Sequence, residues 1–131
     1  MTMTLAAARR VFFWAGAYGV VVLLPQYFLE ERIGRDFPPA ITHPEHFYGF
    51  VGAALAWQFA FFLIARDVVR HRIFMVPAAL EKVLFAIAVF VLHFQGRVSA
   101  IAVGFAAFDL LLAGLFLWAF FAVGKASRGL P

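Results

Sequence analysis

Cysteine is absent from the chain, which removes disulfides, thiolate nucleophiles and thiolate metal sites. Serine is nearly absent as well: Ser99 and Ser127 are the only two, and neither stands in a nucleophile context. No phosphate loop, dinucleotide fingerprint or zinc-protease motif occurs. Hydrolysis and phosphoryl transfer therefore drop out, no catalytic residue is assigned, and the chain reads as a protein more apt to bind than to catalyse. Charge is also scarce. Only 14% of the 131 residues are charged, whereas ordinary globular domains carry about 25%.

What is present is oil. Hydrophobic residues make up 65% of the chain and phenylalanine alone accounts for 18 positions, more apolar surface than a water-soluble core of one small domain can hide. The chain reads as an integral membrane protein, all-α, a single four-helix bundle. Four apolar segments, about 11–28, 47–65, 73–94 and 98–123, each approach the ~17–25 residues that a helix needs to cross hydrocarbon. Arg9 and Arg10 before the first segment give it the look of a signal peptide. Pro25, Gln26, Glu30 and Glu31 follow it where small cleavage-site residues belong, so it is expected to be a retained helix.

Lysine and arginine set the orientation, because they collect on the cytoplasmic side. Arg9, Arg10, Arg66, Arg70, Arg72, Lys125 and Arg128 fall on the side of the termini, against Arg32, Arg35 and Arg97 on the other. Both termini are thus expected inside the cell, in an up-down antiparallel bundle. The net charge of +4 reports this topology, and loops this short offer no groove for nucleic acid. The second and third connections, "RDVVRHR" and "QGR", predict that helices two, three and four are antiparallel neighbours. The first connection, "LEERIGRDFPPAITHPE", holds three prolines. It predicts an irregular, stiff lid on the outer face rather than a helix.

Polar residues inside the segments carry the functional expectation. A hairpin turning near Gly96 sets Lys82 level with Leu110, next to Asp109, and a turn near Val69 or Arg70 sets Gln58 level with about Glu81. Counting inward from Arg10 at ~1.5 Å per residue reaches the same depth near Tyr18 or Gly19. Tyr18, Gln58, Glu81, Lys82 and Asp109 thus fall in one mid-membrane layer. An ionisable group there costs at least ~2.5–3.5 kcal/mol, so the groups should satisfy one another. Lys82 and Asp109 are the natural structural ion pair. Glu81 lies ~100° round the helix from Lys82 and is expected to point elsewhere, toward Gln58, Tyr18 or water. A ligand-binding pocket is expected at Tyr18, Trp57, Gln58 and Glu81.

Small residues mark helix contacts. Ala102, Ala106 and Ala113 share the face of Asp109, while Gly49, Ala53, Ala56 and Ala60 form a second stripe nearly opposite Gln58. That stripe predicts a contact with the first helix or with another subunit. His43, Glu45, His46 and His93 gather at the outer ends of helices two and three, a donor set that metal or haem iron accepts. The spacing is unspecific and Pro44 interrupts it, so no metal and no cofactor are expected.

The run "PEHFYGFVGAALAWQFAFFLIARDVVRHR", followed by Lys82 in helix three and Asp109 in helix four, resembles small four-helix bacterial membrane proteins of the DoxX-like kind. Their pattern has a P-E entry to helix two, an A-R-D-P-x-R-x-R turn, a G-K in helix three and an N-D in helix four. This chain has Val68 at the proline, Glu81 before Lys82 and Phe108 before Asp109, and keeps Arg66, Asp67 and Arg70. The resemblance implies a bacterial cytoplasmic membrane and a lipophilic ligand such as a lipid or quinone, or an accessory role in a larger membrane complex. Two alternatives stand beside it. One is a proton-coupled small transporter or ion pathway acting as a dimer, the smallest homo-oligomer, disfavoured because helix one holds no carboxylate before Glu30. The other is a membrane isomerase of the EXPERA kind, which needs acids beside aromatic faces.

Overall fold

The computed structural model describes residues 3–130. Helix dominates, and four helical stretches are long and apolar enough to cross a membrane: Leu5–Phe28, Pro44–Arg66, Arg72–Phe94 and Ala100–Ser127. α1 spans Leu5–Leu23 and starts earlier than its apolar run because the Thr4 hydroxyl caps it, accepting from the Ala7 N–H at 3.1 Å. Pro25 lacks the N–H that would continue an α-helix, so the span finishes as the 3-10 turn Leu24–Phe28. Next come α2, Glu30–Asp36; α3, Pro44–Arg66; α4, Met75–Phe94; and α5, Ala100–Ser127.

α2 corrects the expectation of an irregular first connection. The prolines all lie beyond its end, and its charges suit a helix, with Glu30 and Glu31 in the first turn and Arg35 in the last. The segment is tied to the start of α3, where the Tyr48 hydroxyl donates to Glu30 Oε2 at 2.8 Å and stacks with Tyr27. Pro44 likewise does not break α3. It occupies the first turn, the one place where its missing N–H costs nothing.

The turn at Gly96 behaves as its sequence predicts. Gly96 has φ +70°, Arg97 N–H donates to Leu92 O at 2.8 Å and Gly96 N–H to His93 O at 2.9 Å, a helix stop that requires the left-handed conformation glycine tolerates. α4 and α5 pack along their length, as do α1 and α3, and α1 also rests on α5. α3 and α4 scarcely touch, against the expectation drawn from their short connection.

The connection itself supplies the reason. Asp67 Oδ1 accepts from the Arg70 N–H at 3.0 Å, a bond that holds the Asp67 carboxyl below the usual carboxylate range, and Val68 is buried in the core. Arg72 then reaches across to α5, donating from Nε to Phe120 O at 2.6 Å with its guanidinium 3.9 Å above the Phe120 ring. The chain is thereby led over to α5 before α4 begins.

The packing differs between the two ends of the bundle. At one end a single cluster draws on all four spans: Phe12 and Ala15, Phe61 and Ile64, Ala78 and Ala79, Phe116 and Ala119. Phe12 stacks on Phe116 at 4.3 Å, and Phe61 meets Phe116 edge-on at 5.0 Å. We call this the closed half. In the open half the core divides into two separate clusters, Leu23, Val51 and Ala54 between α1 and α3, and Ala86, Val89 and Ala106 between α4 and α5.

Candidate functional site

Between those two clusters lies a cavity of about 230 Å³. One stripe of each span forms its wall, at the four-residue spacing that keeps side chains on one helix face: Tyr18, Val22 and Gln26 from α1 and its 3-10 extension, Phe50, Ala54 and Gln58 from α3, Phe105 and Asp109 from α5. Glu81, Lys82 and Phe85 complete it from α4. The five polar residues expected at one depth thus face one space. A second, more open groove runs along the gap between α3 and α4, lined by Trp57, Leu80, Glu81, Leu84 and Phe85 among others. Glu81, Phe50, Ala54 and Phe85 belong to both, so the cavity and the gap between α3 and α4 share a wall. The Phe50 and Phe85 rings stack across that gap at 5.8 Å.

Lys82 is buried, with Nζ 3.4 Å from Asp109 Oδ1 and 3.8 Å from Glu81 Oε2. The Lys82–Asp109 ion pair is therefore present. The expectation that Glu81 and Lys82 could not aim at one point is wrong: the four-carbon lysine stem covers the angle that separates their Cα–Cβ bonds. One ammonium lies between two carboxylates, with the face of Phe61 5.5 Å away on another side. The longer of the two contacts exceeds hydrogen-bond distance, and Glu81 Oε2 has no hydrogen-bond partner.

Gln58 is fully buried, and it does not meet Glu81 or bridge helices through its amide N–H. Its Nε2 donates back to Ala54 O at 2.8 Å within α3. Oε1 is left with no partner. The carbonyl of Ala54 can only accept, so the amide nitrogen must face it and the oxygen must point away. That oxygen occupies the notch where a side chain on Gly19 would stand, which explains why α1 carries glycine at this level.

Trp57 is displaced from its expected place. It faces the grooves on the outside of α3 rather than the cavity, because it lies one residue from Gln58 and so ~100° round the helix. Gln26, missed from the sequence, lines the cavity and donates from Nε2 to Val22 O at 3.1 Å. Its position eight residues beyond Tyr18 on one helix face was the available signal. The small stripe Ala53, Ala56 and Ala60 lines an outward groove with Leu63, His71 and Phe74. On α5, Ala106 and Ala113 are buried as their stripe predicts.

At the start of α3, donor atoms of His43, Glu45 and His46 lie within 4.8 Å of one another, all exposed. His93 is not among them and instead places Nδ1 3.0 Å from Val98 O. No protein-family model, curated protein or solved structure matches the chain.

Proposed function

We propose that this chain is an integral membrane protein that holds a lipophilic molecule, a lipid or quinone, in the open half of an up-down antiparallel bundle. In this reading it is DoxX-like, lies in a bacterial cytoplasmic membrane with both termini inside, and serves as a binding protein or as an accessory subunit of a larger membrane complex. The observation that carries the reading is the cavity: its floor is polar, its walls are apolar, and it borders a gap between α3 and α4 that faces lipid. Ligand sites in helix bundles have this composition, a mostly apolar lining with a few convergent polar groups.

The closed half weighs against a through-pathway. The Phe12, Phe61 and Phe116 rings fill the bundle beneath the polar layer, so protons or ions entering the cavity meet a dry plug rather than a second half-channel. A membrane isomerase would need its acids free to exchange protons with substrate. Here Lys82 holds Asp109 in an ion pair.

Mass spectrometry of lipids and quinones that copurify in detergent tests the reading. A lipophile retained by the native chain and lost in Glu81→Gln, with the helical fold unchanged, is the expected result; a ligand-free native protein refutes it. Topology is tested separately. Thr42→Cys should react with an impermeant thiol reagent in cells, and Ser127→Cys should not.

A further inference from the structure

We infer that the groove between the start of α1 and the end of α3 is a binding site for an anionic phospholipid, its phosphate held by Arg9, Arg10 and Arg66 and an acyl chain lying against Phe13, Phe62 and Leu63. The groove shares no lining residue with the cavity, so the inference stands apart from whatever the cavity holds.

Helical spacing builds the groove. Gly16 lets α1 and α3 approach closely, since a Cβ there would meet Phe62 Cε1 at 2.9 Å and Gln58 O at 3.0 Å. Toward the end of the bundle the Phe13 and Phe62 rings meet at 5.6 Å, and both Phe13 and Leu63 are about half exposed. Arg9 stands four residues before Phe13 and Arg66 four after Phe62, which sets each arginine on the same helix face as its ring. Arg10 joins them, and all border one space of about 430 Å³.

Charge names the occupant. Glu30, Glu31 and Asp36 lie in α2, Glu45 at the start of α3, and Glu81 and Asp109 in the polar layer, which leaves Asp67 as the one carboxylate at this end. Its Oδ1 accepts from the Arg70 N–H. Among the described residues, Arg9, Arg10 and Arg66 form no ion pair. The rule that keeps lysine and arginine inside the cell accounts for their sign, but it does not require guanidinium groups from two helices to border one groove. Other basic residues of this end do otherwise: Arg72 is bonded to Phe120 O, and Arg70, Lys125 and Arg128 are not in the lining. Guanidinium forks match phosphate oxygens, and basic pockets between spans at a cytoplasmic face take phospholipid heads. A free phosphate would answer the arginines and leave the rings bare. A zwitterionic lipid would cover the rings but add a further cation beside the arginines. An anionic phospholipid answers both.

Native mass spectrometry of the detergent-purified protein, titrated with dioleoyl phosphatidylglycerol or dioleoyl phosphatidylcholine, tests the assignment. The unmodified chain should bind the anionic lipid ~10-fold or more tightly. Arg10→Gln with Arg66→Gln should bring the two lipids to about equal affinity. Lys125→Gln with Arg128→Gln, the same loss of charge outside the groove, should leave the preference in place; all four residues are exposed, so neither pair of substitutions disturbs the core. Equal binding of the two lipids by the unmodified chain overturns the site. Equal loss of preference in the two double variants overturns its location, the attraction then belonging to the summed charge of this end. Displacement of phosphatidylglycerol by inorganic phosphate overturns the lipid in favour of a free anion.

Discussion

The closed and open halves are made by the same four helices, yet one end is filled and the other is hollow. In the closed half α1 and α5 set large beside small, Phe12 beside Ala15 and Phe116 beside Ala119, α3 adds Phe61 and Ile64, and α4 meets them with Ala78 and Ala79, so that three rings pack among the four helices. In the open half three of the six buried residues are alanines, Ala54, Ala86 and Ala106, and they close only the two hairpin-like pairs. Association in lipid draws on packing rather than on exclusion of water, so a span pair without interdigitating side chains has little to hold it together. α3 and α4 are such a pair. The polar layer lies at the boundary, where the Phe61 face meets the Lys82 ammonium from the closed side and the cavity begins on the other.

Substitutions sharpen the contrast. Lys82→Met is expected to have the largest effect, at the upper end of ~3–5 kcal/mol, because it strands two carboxylates at once. Asp109→Leu should cost less, since Lys82 keeps Glu81, and the double change should recover much of the loss. Denaturation in mixed micelles measures all three, and a double variant no better than Lys82→Met would show that the residues are not partners. Next, Phe116→Ala should cost ~3 kcal/mol, the low end for a packed phenylalanine, whereas Phe105→Ala in the cavity wall should cost less than ~1 kcal/mol. Equal losses would erase the distinction between the halves.

Much of this was legible in the sequence. Spans follow from apolar length, the turn from Gly96, and the polar layer from counting depth along helices of known rise. Contacts were harder. A short connection bounds the distance between helix ends but does not decide which faces pack, and "RDVVRHR" uses Val68 and Arg72 to carry the chain over to α5. The shared focus of Glu81 and Lys82 was hidden because helix angles describe Cβ directions, while a lysine stem reaches well beyond them. Gln58 invites an interhelical partner because a buried amide must be satisfied; its nitrogen is satisfied within its own helix, and its oxygen lies unpaired in the notch at Gly19. Trp57 was grouped with Gln58 by adjacency along the chain, which on a helix means different faces.

The smallest effect is expected outside the spans. Asp67 has its carboxyl lowered by the Arg70 N–H, so the folded state gains stability from it above the ordinary carboxylate value of about 3.9 and loses that gain as pH falls through the lower, folded value. Asp67→Asn should flatten this acid limb of the stability profile and leave the cavity untouched. An unchanged limb would mean that the Asp67–Arg70 bond does not stabilise the turn.

Ala54 and Ala119 are both buried alanines on membrane-spanning helices, one on the cavity wall and one in the packed cluster. The chain has no native cysteine, so a single cysteine at either place reports without background. Methylmercury titration followed by intact mass spectrometry compares them most directly. Ala54→Cys should take up one methylmercury in the native protein, while Ala119→Cys should do so only after unfolding. Equal uptake at both positions, or protection of both, would contradict a bundle that is closed at one end and open at the other.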